Sequence, residues 1–167
     1  MHTYTLPEAP GASAIPGHYS LILAQLTAVT ETQTDTIANL SNASAVLNMN
    51  LDHINWVGFY LVRQNALILG PFQGRPACAH IPFGRGVCGT AAAEKTTQLV
   101  EDVHAFPGHI ACDGASNSEI VVPIFHREKL VAVLDIDSPL YGRFDDDDRE
   151  GLEKCAVLLG DACDWIL

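Results

Sequence analysis

The side chains best able to do nucleophilic or redox chemistry in this chain are its five cysteines, at positions 78, 88, 112, 155 and 163. Their settings differ. Cys112 lies in GHIACDGASNS, among Gly, Asp, Ala, Ser and Asn, on a stretch that reads as a long irregular loop. An inert cysteine normally packs among apolar side chains as a small hydrophobe. A thiol on a polar loop is open to a substrate, and thiolate character, which His109 and nearby backbone N–H groups would favour, makes it a nucleophile. An exposed, unreactive thiol fits the local residues equally well. Cys155 and Cys163 stand about two helical turns apart among Leu152, Leu158 and Leu159 and read as core thiols. Cys78 and Cys88 flank a glycine-rich turn, FGRG (83–86).

Acids accompany these thiols. Glu119 opens EIVVPIF (119–125), a run that reads as a buried strand. A carboxylate entering a core costs several kcal/mol unless partnered, and burial raises its pKa, which suits a proton donor. A strand-end glutamate turned to water is the plainer alternative. In LDID, Asp135 and Asp137 alternate with Leu134 and Ile136, so both carboxylates share one face of their strand. That face suits an ammonium group, or a coupled pair in which one acid keeps its proton; metal binding by paired Asp competes but finds no further clustered ligand set in the sequence, and an acidic strand end facing solvent is again the plain option. Trp56, Gly58 and Tyr60 likewise share a face, the glycine leaving a gap between two rings that could hold a methyl thioether. The N–H groups of the FGRG turn could hold a carboxylate where a helix begins.

The elements that must position these groups follow from periodicity. Helical spacing predicts helices over 18–30 and about 35–49 and a final helix from about Asp145 to Trp165, with Asp145 to Asp148 in a first turn that favours negative charge. Strand patterns cover 54–62, 66–72, 77–83, 98–103, 119–125 and 129–137, and a short helix follows the turn at 84–86. Cys78 thus falls on a strand and Cys88 just inside the short helix. Residues 1–16, with three prolines, read as an arm, and 17–167 as a single domain with no linker to another. Hairpins dominate, which implies an α+β fold: a mostly antiparallel six-stranded sheet with the terminal helices on one face. The other face, covered by loops and the short helix, is the natural ligand cavity.

Bulk composition narrows the function. A net charge of −11, from 9 basic and 20 acidic residues, argues against nucleic acid and anionic membrane surfaces. No apolar run is long enough to cross a bilayer, and the N-terminus lacks the pattern of a secretory signal. A cytoplasmic location follows as the expectation, where an odd set of thiols is catalytic, metal-binding or inert rather than a disulfide framework. A zinc site from Cys78, His80, Cys88 and Cys112 lacks the paired spacing of structural zinc. Neither a metal nor a bound cofactor is expected.

Five stretches, NWVGFYL (55–61), LGPFQGRPAC (69–78), IPFGRGVCGTAA (81–92), HIACDGASNSEIVVPI (109–124) and LVAVLDIDSP (130–139), carry a resemblance to GAF domains, and within them to the free methionine-(R)-sulfoxide reductases. The scaffold alone binds many ligands; the three cysteines with the LDIDS segment are more specific. The resemblance implies that Cys112 attacks the sulfoxide, that Cys78 resolves the oxidised sulfur as a disulfide, and that thioredoxin reduces that disulfide. It also implies a substrate pocket lined by Glu119, Asp135, Asp137, Trp56 and Tyr60. The chemistry is consistent with such residues. A thiolate attacks sulfur while an acid protonates the departing oxygen, and the resulting sulfenic acid condenses with a second thiol. Cys88 is an alternative resolving thiol that spacing does not separate from Cys78. The final helix is apolar enough to pair two copies into a homodimer. The rival is a non-catalytic GAF module that binds a small ligand.

Overall fold

The computed structural model describes residues 5–6, 16–108 and 114–165. The expected arm at 1–16 lies almost wholly outside that set, although Leu6 rests against the main core. Helix α1 (Pro16–Thr30) starts on a proline, whose missing N–H costs nothing in a first turn. Helix α2 (Thr36–Asn50) is capped by Asp35, whose carboxylate accepts from the Ala38 N–H at 2.9 Å.

The period then changes to two. Strands β1 (Trp56–Arg63) and β2 (Ala66–Gly74) form a hairpin closed by Gln64 and Asn65 alone, both at positive φ (49° and 61°). That two-residue geometry matches the twist of the strands, and it is one residue tighter than the turn expected at 63–65. Strand β3 is only His80–Pro82, not 77–83, pairing with Ala66 to Ile68 and ending on Pro82, which has no N–H to carry a ladder further. Cys78 therefore sits in the connection before β3, not on a strand.

Helix α3 (Gly86–Glu94) follows the glycine-rich turn, and β4 is Gln98–Val100. The strand expected to run to 103 stops there because Asp102 accepts from the His104 N–H at 2.9 Å and closes a 3-10 turn over Val103–Ala105. Strands β5 (Ser118–His126) and β6 (Lys129–Ser138) form the second hairpin, and α4 spans Asp146–Ala162. Asp145 and Asp148 form a reciprocal capping box at its start. Asp148 also accepts from the Tyr19 hydroxyl at 2.7 Å and pairs with Arg143 at 2.9 Å, tying α4 to α1.

The six strands pair antiparallel in the order β3-β2-β1-β6-β5-β4, the expected fold class. Alternation along the three central strands sorts side chains into two cores. Val57, Phe59, Ile120, Val122, Leu134 and Ile136 face α1, α2 and α4 and pack on Ile22, Leu26, Leu40, Leu152 and Leu159. Trp56, Tyr60, Val121 and Val133 face the other way, toward α3, with Val87, Cys88, Ala91 and Ala92. Among the described residues no helix is long and apolar enough to cross a membrane.

Candidate active site

The α3 face of the sheet is where acids replace apolar residues. Because β6 lies between β1 and β5, Trp56 stands opposite Asp137, and Asp137 opposite Glu119; one pair further along, Gly58 and Val121 flank Asp135. Strand alternation thus gathers the three carboxylates and two aromatic residues that are far apart in the chain. Trp56, Tyr60, Cys88, Glu119, Asp135 and Asp137 all line one cavity of about 530 Å³, its open mouth included.

Glu119 and Asp135 are each 6% exposed, which rules out the water-facing alternatives. Asp137 is half-buried. Burial, followed by the charges of Asp135 and Asp137, holds the Glu119 carboxyl well above the usual carboxylate range. Burial pushes Asp135 up to about 6. The two acids interact, so they titrate as a pair, with the proton favoured on Glu119. Asp135 Oδ1 is buried and has no hydrogen-bond partner among the described residues.

Cys88 enters from the first turns of α3. Its thiol points at Glu119 Oε1 across 3.9 Å, and burial with the charges of Asp135 and Glu119 raises its pKa well above the ordinary thiol value. Cys88 is therefore a protonated thiol at the floor of the cavity. Cys78 is half-buried next to Ala77, a lining residue, and is disulfide-bonded, whereas Cys88, Cys155 and Cys163 are free. Burial raises Cys155 to about 12 and Cys163 to about 11, as suits core thiols. Cys112 and His109 lie outside the described residues.

The aromatic wall differs from the expected gap. Trp56 stacks with both Tyr60 (centroids 5.9 Å apart) and Phe72 (5.3 Å), and its indole N–H donates to the Arg75 carbonyl at 3.1 Å. A Cβ added at Gly58 would collide with Phe72 Cβ and come within 2.7 Å of the Trp56 ring. The glycine makes room for Phe72 and the indole, so the space that sequence alternation suggested between Trp56 and Tyr60 is filled. What remains for a ligand is the cavity side of the wall.

The start of α3 also reaches the cavity. Arg85, its N-cap, makes no side-chain cap hydrogen bond among the described residues, and Arg85, Gly86 and Val87 all line the site, so the N-terminus of the helix, with its first N–H groups unpaired within the helix, lies at the cavity. Sequence reading missed Ser116, which is 3% exposed, lines the cavity and accepts from Asn55 Nδ2 at 3.1 Å. Nothing in GASNSE distinguishes that serine from its neighbours.

The buried acids have a measurable cost. With a folded pKa of about 6 against roughly 3.9 in the unfolded chain, Asp135 imposes no penalty below about pH 4. Stability is lost as pH rises through 6, reaching on the order of 2–3 kcal/mol at neutral pH. Asp135→Asn is expected to stabilise the protein by that amount at pH 7.5, with the gain vanishing near pH 4. Urea unfolding at the two pH values checks this, and an equal effect at both would contradict it.

A family profile described as GAF domain matches residues 34–164. The free methionine-R-sulfoxide reductase of Escherichia coli is 54% identical over 127 residues, covering 76% of this chain and 77% of that protein. The structure of fRMsr of Staphylococcus aureus in its reduced form matches with a TM-score of 0.84 at 59% identity, over 86% of this chain and 94% of that one. The X-ray structure of the Neisseria meningitidis free methionine-R-sulfoxide reductase in complex with its substrate gives 0.90 at 44% identity, over 96% and 95%. A six-stranded antiparallel sheet with acids and aromatics converging beneath a short helix, and likeness of this extent, lead to one assignment: the chain belongs to the GAF-domain family, in its free methionine-R-sulfoxide reductase branch.

Proposed function

We propose that this protein reduces free L-methionine-(R)-sulfoxide to methionine. The observation that carries the reading is the buried pair of Glu119 and Asp135 facing a small cavity with an aromatic wall. One of the acids holds a proton to give and the other a charge to offer an ammonium group. The names of the relatives support the same substrate.

In this reading Asp135 and Asp137 bind the substrate ammonium, the N-terminus of α3 takes its carboxylate, and Trp56 and Tyr60 bound the S-methyl group. A peptide-bound methionine sulfoxide has neither free terminus to offer and is excluded. The Cys112 thiolate attacks the sulfoxide sulfur while Glu119 protonates the oxygen, releasing methionine and leaving a sulfenic acid on Cys112. The Cys78 thiol then displaces that oxygen as water, forming a disulfide, and thioredoxin returns both thiols at the cost of its own dithiol. Cys78 is favoured over Cys88 as the resolving thiol because it follows the lining residue Ala77 in the chain and is disulfide-bonded. Cys88 is a free thiol buried among carboxyl groups that hold it protonated. The reducing conditions that recycle the enzyme fit the cytoplasm.

Thiol counting tests the chemistry without an external reductant. Fully reduced protein given one equivalent of free L-methionine-(R)-sulfoxide should lose two titratable thiols. A binding module that does no chemistry would lose none.

A further inference from the structure

The Cys88 thiol, Glu119 and Asp135 each offer one ligand atom, and those three atoms lie within 4.8 Å of one another. All three residues are buried, at 4%, 6% and 6% exposure. Neither Glu119 nor Asp135 has an ion-pair partner among the described residues. Among those residues Asp135 Oδ1 has no hydrogen-bond partner either, although its residue is more than nine-tenths buried and lines the cavity. A charged oxygen in that position is costly unless something cationic or a donor meets it.

We propose that this cluster is a binding site for a thiophilic divalent cation of the zinc type. One thiolate and two carboxylates make a three-ligand set of the kind zinc accepts. Ligands at roughly 2.0–2.3 Å from a tetrahedral ion stand about 3–4 Å from each other, a spacing the side chains reach by small rotamer adjustments. The fourth position opens on the cavity and is left to water or a ligand. Magnesium and calcium prefer more oxygens and no sulfur, so the set discriminates against them. Binding displaces the proton of Cys88 and that of Glu119, so affinity rises with pH.

The ion would occupy Asp135 and Glu119, two of the carboxyls assigned above to the substrate's ammonium and to proton delivery. The inhibitory consequence rests on that proposed function; the binding itself does not. Zinc then competes with free methionine sulfoxide, raising its apparent KM and sparing the maximal rate at saturating substrate.

Cobalt(II) is the direct probe, because a cobalt–thiolate bond absorbs in the near ultraviolet. The titration uses full-length protein with the Cys78 disulfide intact, which leaves Cys88 free. Expected are a thiolate-to-cobalt band that saturates at one equivalent, is discharged by zinc, and is indifferent to magnesium. Cys88→Ser should abolish the band, and the near-isosteric Asp135→Asn should weaken cobalt binding by tenfold or more. Absence of the band in folded wild-type protein would overturn the proposal, as would a band unchanged in both variants. Cobalt binding with this signature in a protein that reduces no sulfoxide would leave the site standing and remove only the proposed enzymatic function.

Discussion

Glu119→Gln is expected to lower kcat for free L-methionine-(R)-sulfoxide by about 10²–10⁴-fold, the usual loss when a positioned general acid is removed. The substitution keeps the shape of the side chain and takes away only the transferable proton. Glu119 suits this role because it is 6% exposed and shares its site with Asp135 and Asp137. Desolvation and like charge both disfavour its anion, so the carboxyl stays protonated at a pH where an ordinary glutamate is ionised. The sign of the pH dependence follows. Wild-type turnover falls as pH rises through this raised pKa, and the Gln variant loses that limb of the profile along with most of the rate. The KM of the variant should change much less than kcat, since a neutral Glu119 contributes little to holding an ammonium. Steady-state kinetics across pH check this. A Gln variant within about threefold of wild type, or one that keeps the alkaline limb, would assign the proton to another donor.

The second large effect separates the thiols. Cys112→Ser should abolish reduction altogether, because a serine hydroxyl neither attacks sulfoxide sulfur nor accepts its oxygen reversibly. Cys78→Ser should behave differently. It keeps the first step, so one equivalent of methionine forms per protein, and then stalls as a sulfenic acid that a carbon-acid reagent traps, with thioredoxin-supported turnover reduced by two orders of magnitude or more. If Cys88 resolves instead, it is Cys88→Ser that accumulates the sulfenic acid and Cys78→Ser that turns over. Mass spectrometry of the trapped adduct, alongside methionine release in a single turnover, decides between them.

Much of this site was legible in the sequence because it rests on alternation. LDID places Asp135 and Asp137 on one face of any strand it forms, and Trp56 and Tyr60 are constrained in the same way. Likewise, an acid opening an apolar strand marked Glu119 as a residue with a reason to be buried. Local order could not say that β6 would lie between β1 and β5, which is what sets Asp137 between Trp56 and Glu119; register across strands distant in the chain is a property of the whole sheet. The same non-locality explains the gap wrongly expected at Gly58. Its occupant, Phe72, comes from the neighbouring strand and pairs with Gly58 directly. Ser116 entered the cavity through the packing of its loop, without any local signature. The short β3 and β4 reflect the proline that ends one, Pro82, and the Asp102 cap that ends the other, both present in the sequence but outweighed there by the apolar pattern.

The central claim is that this cavity and its thiols reduce one free amino-acid epimer. The most direct measurement is NADPH oxidation coupled through thioredoxin and thioredoxin reductase. It offers wild-type protein, and Cys112→Ser beside it, three substrates in turn: free L-methionine-(R)-sulfoxide, its S epimer and the N-acetylated R-sulfoxide. Turnover of the free R epimer alone, absent in the variant, is the result predicted. Folded, reduced protein that turns over none of the three would contradict the account and leave a ligand-binding module in its place.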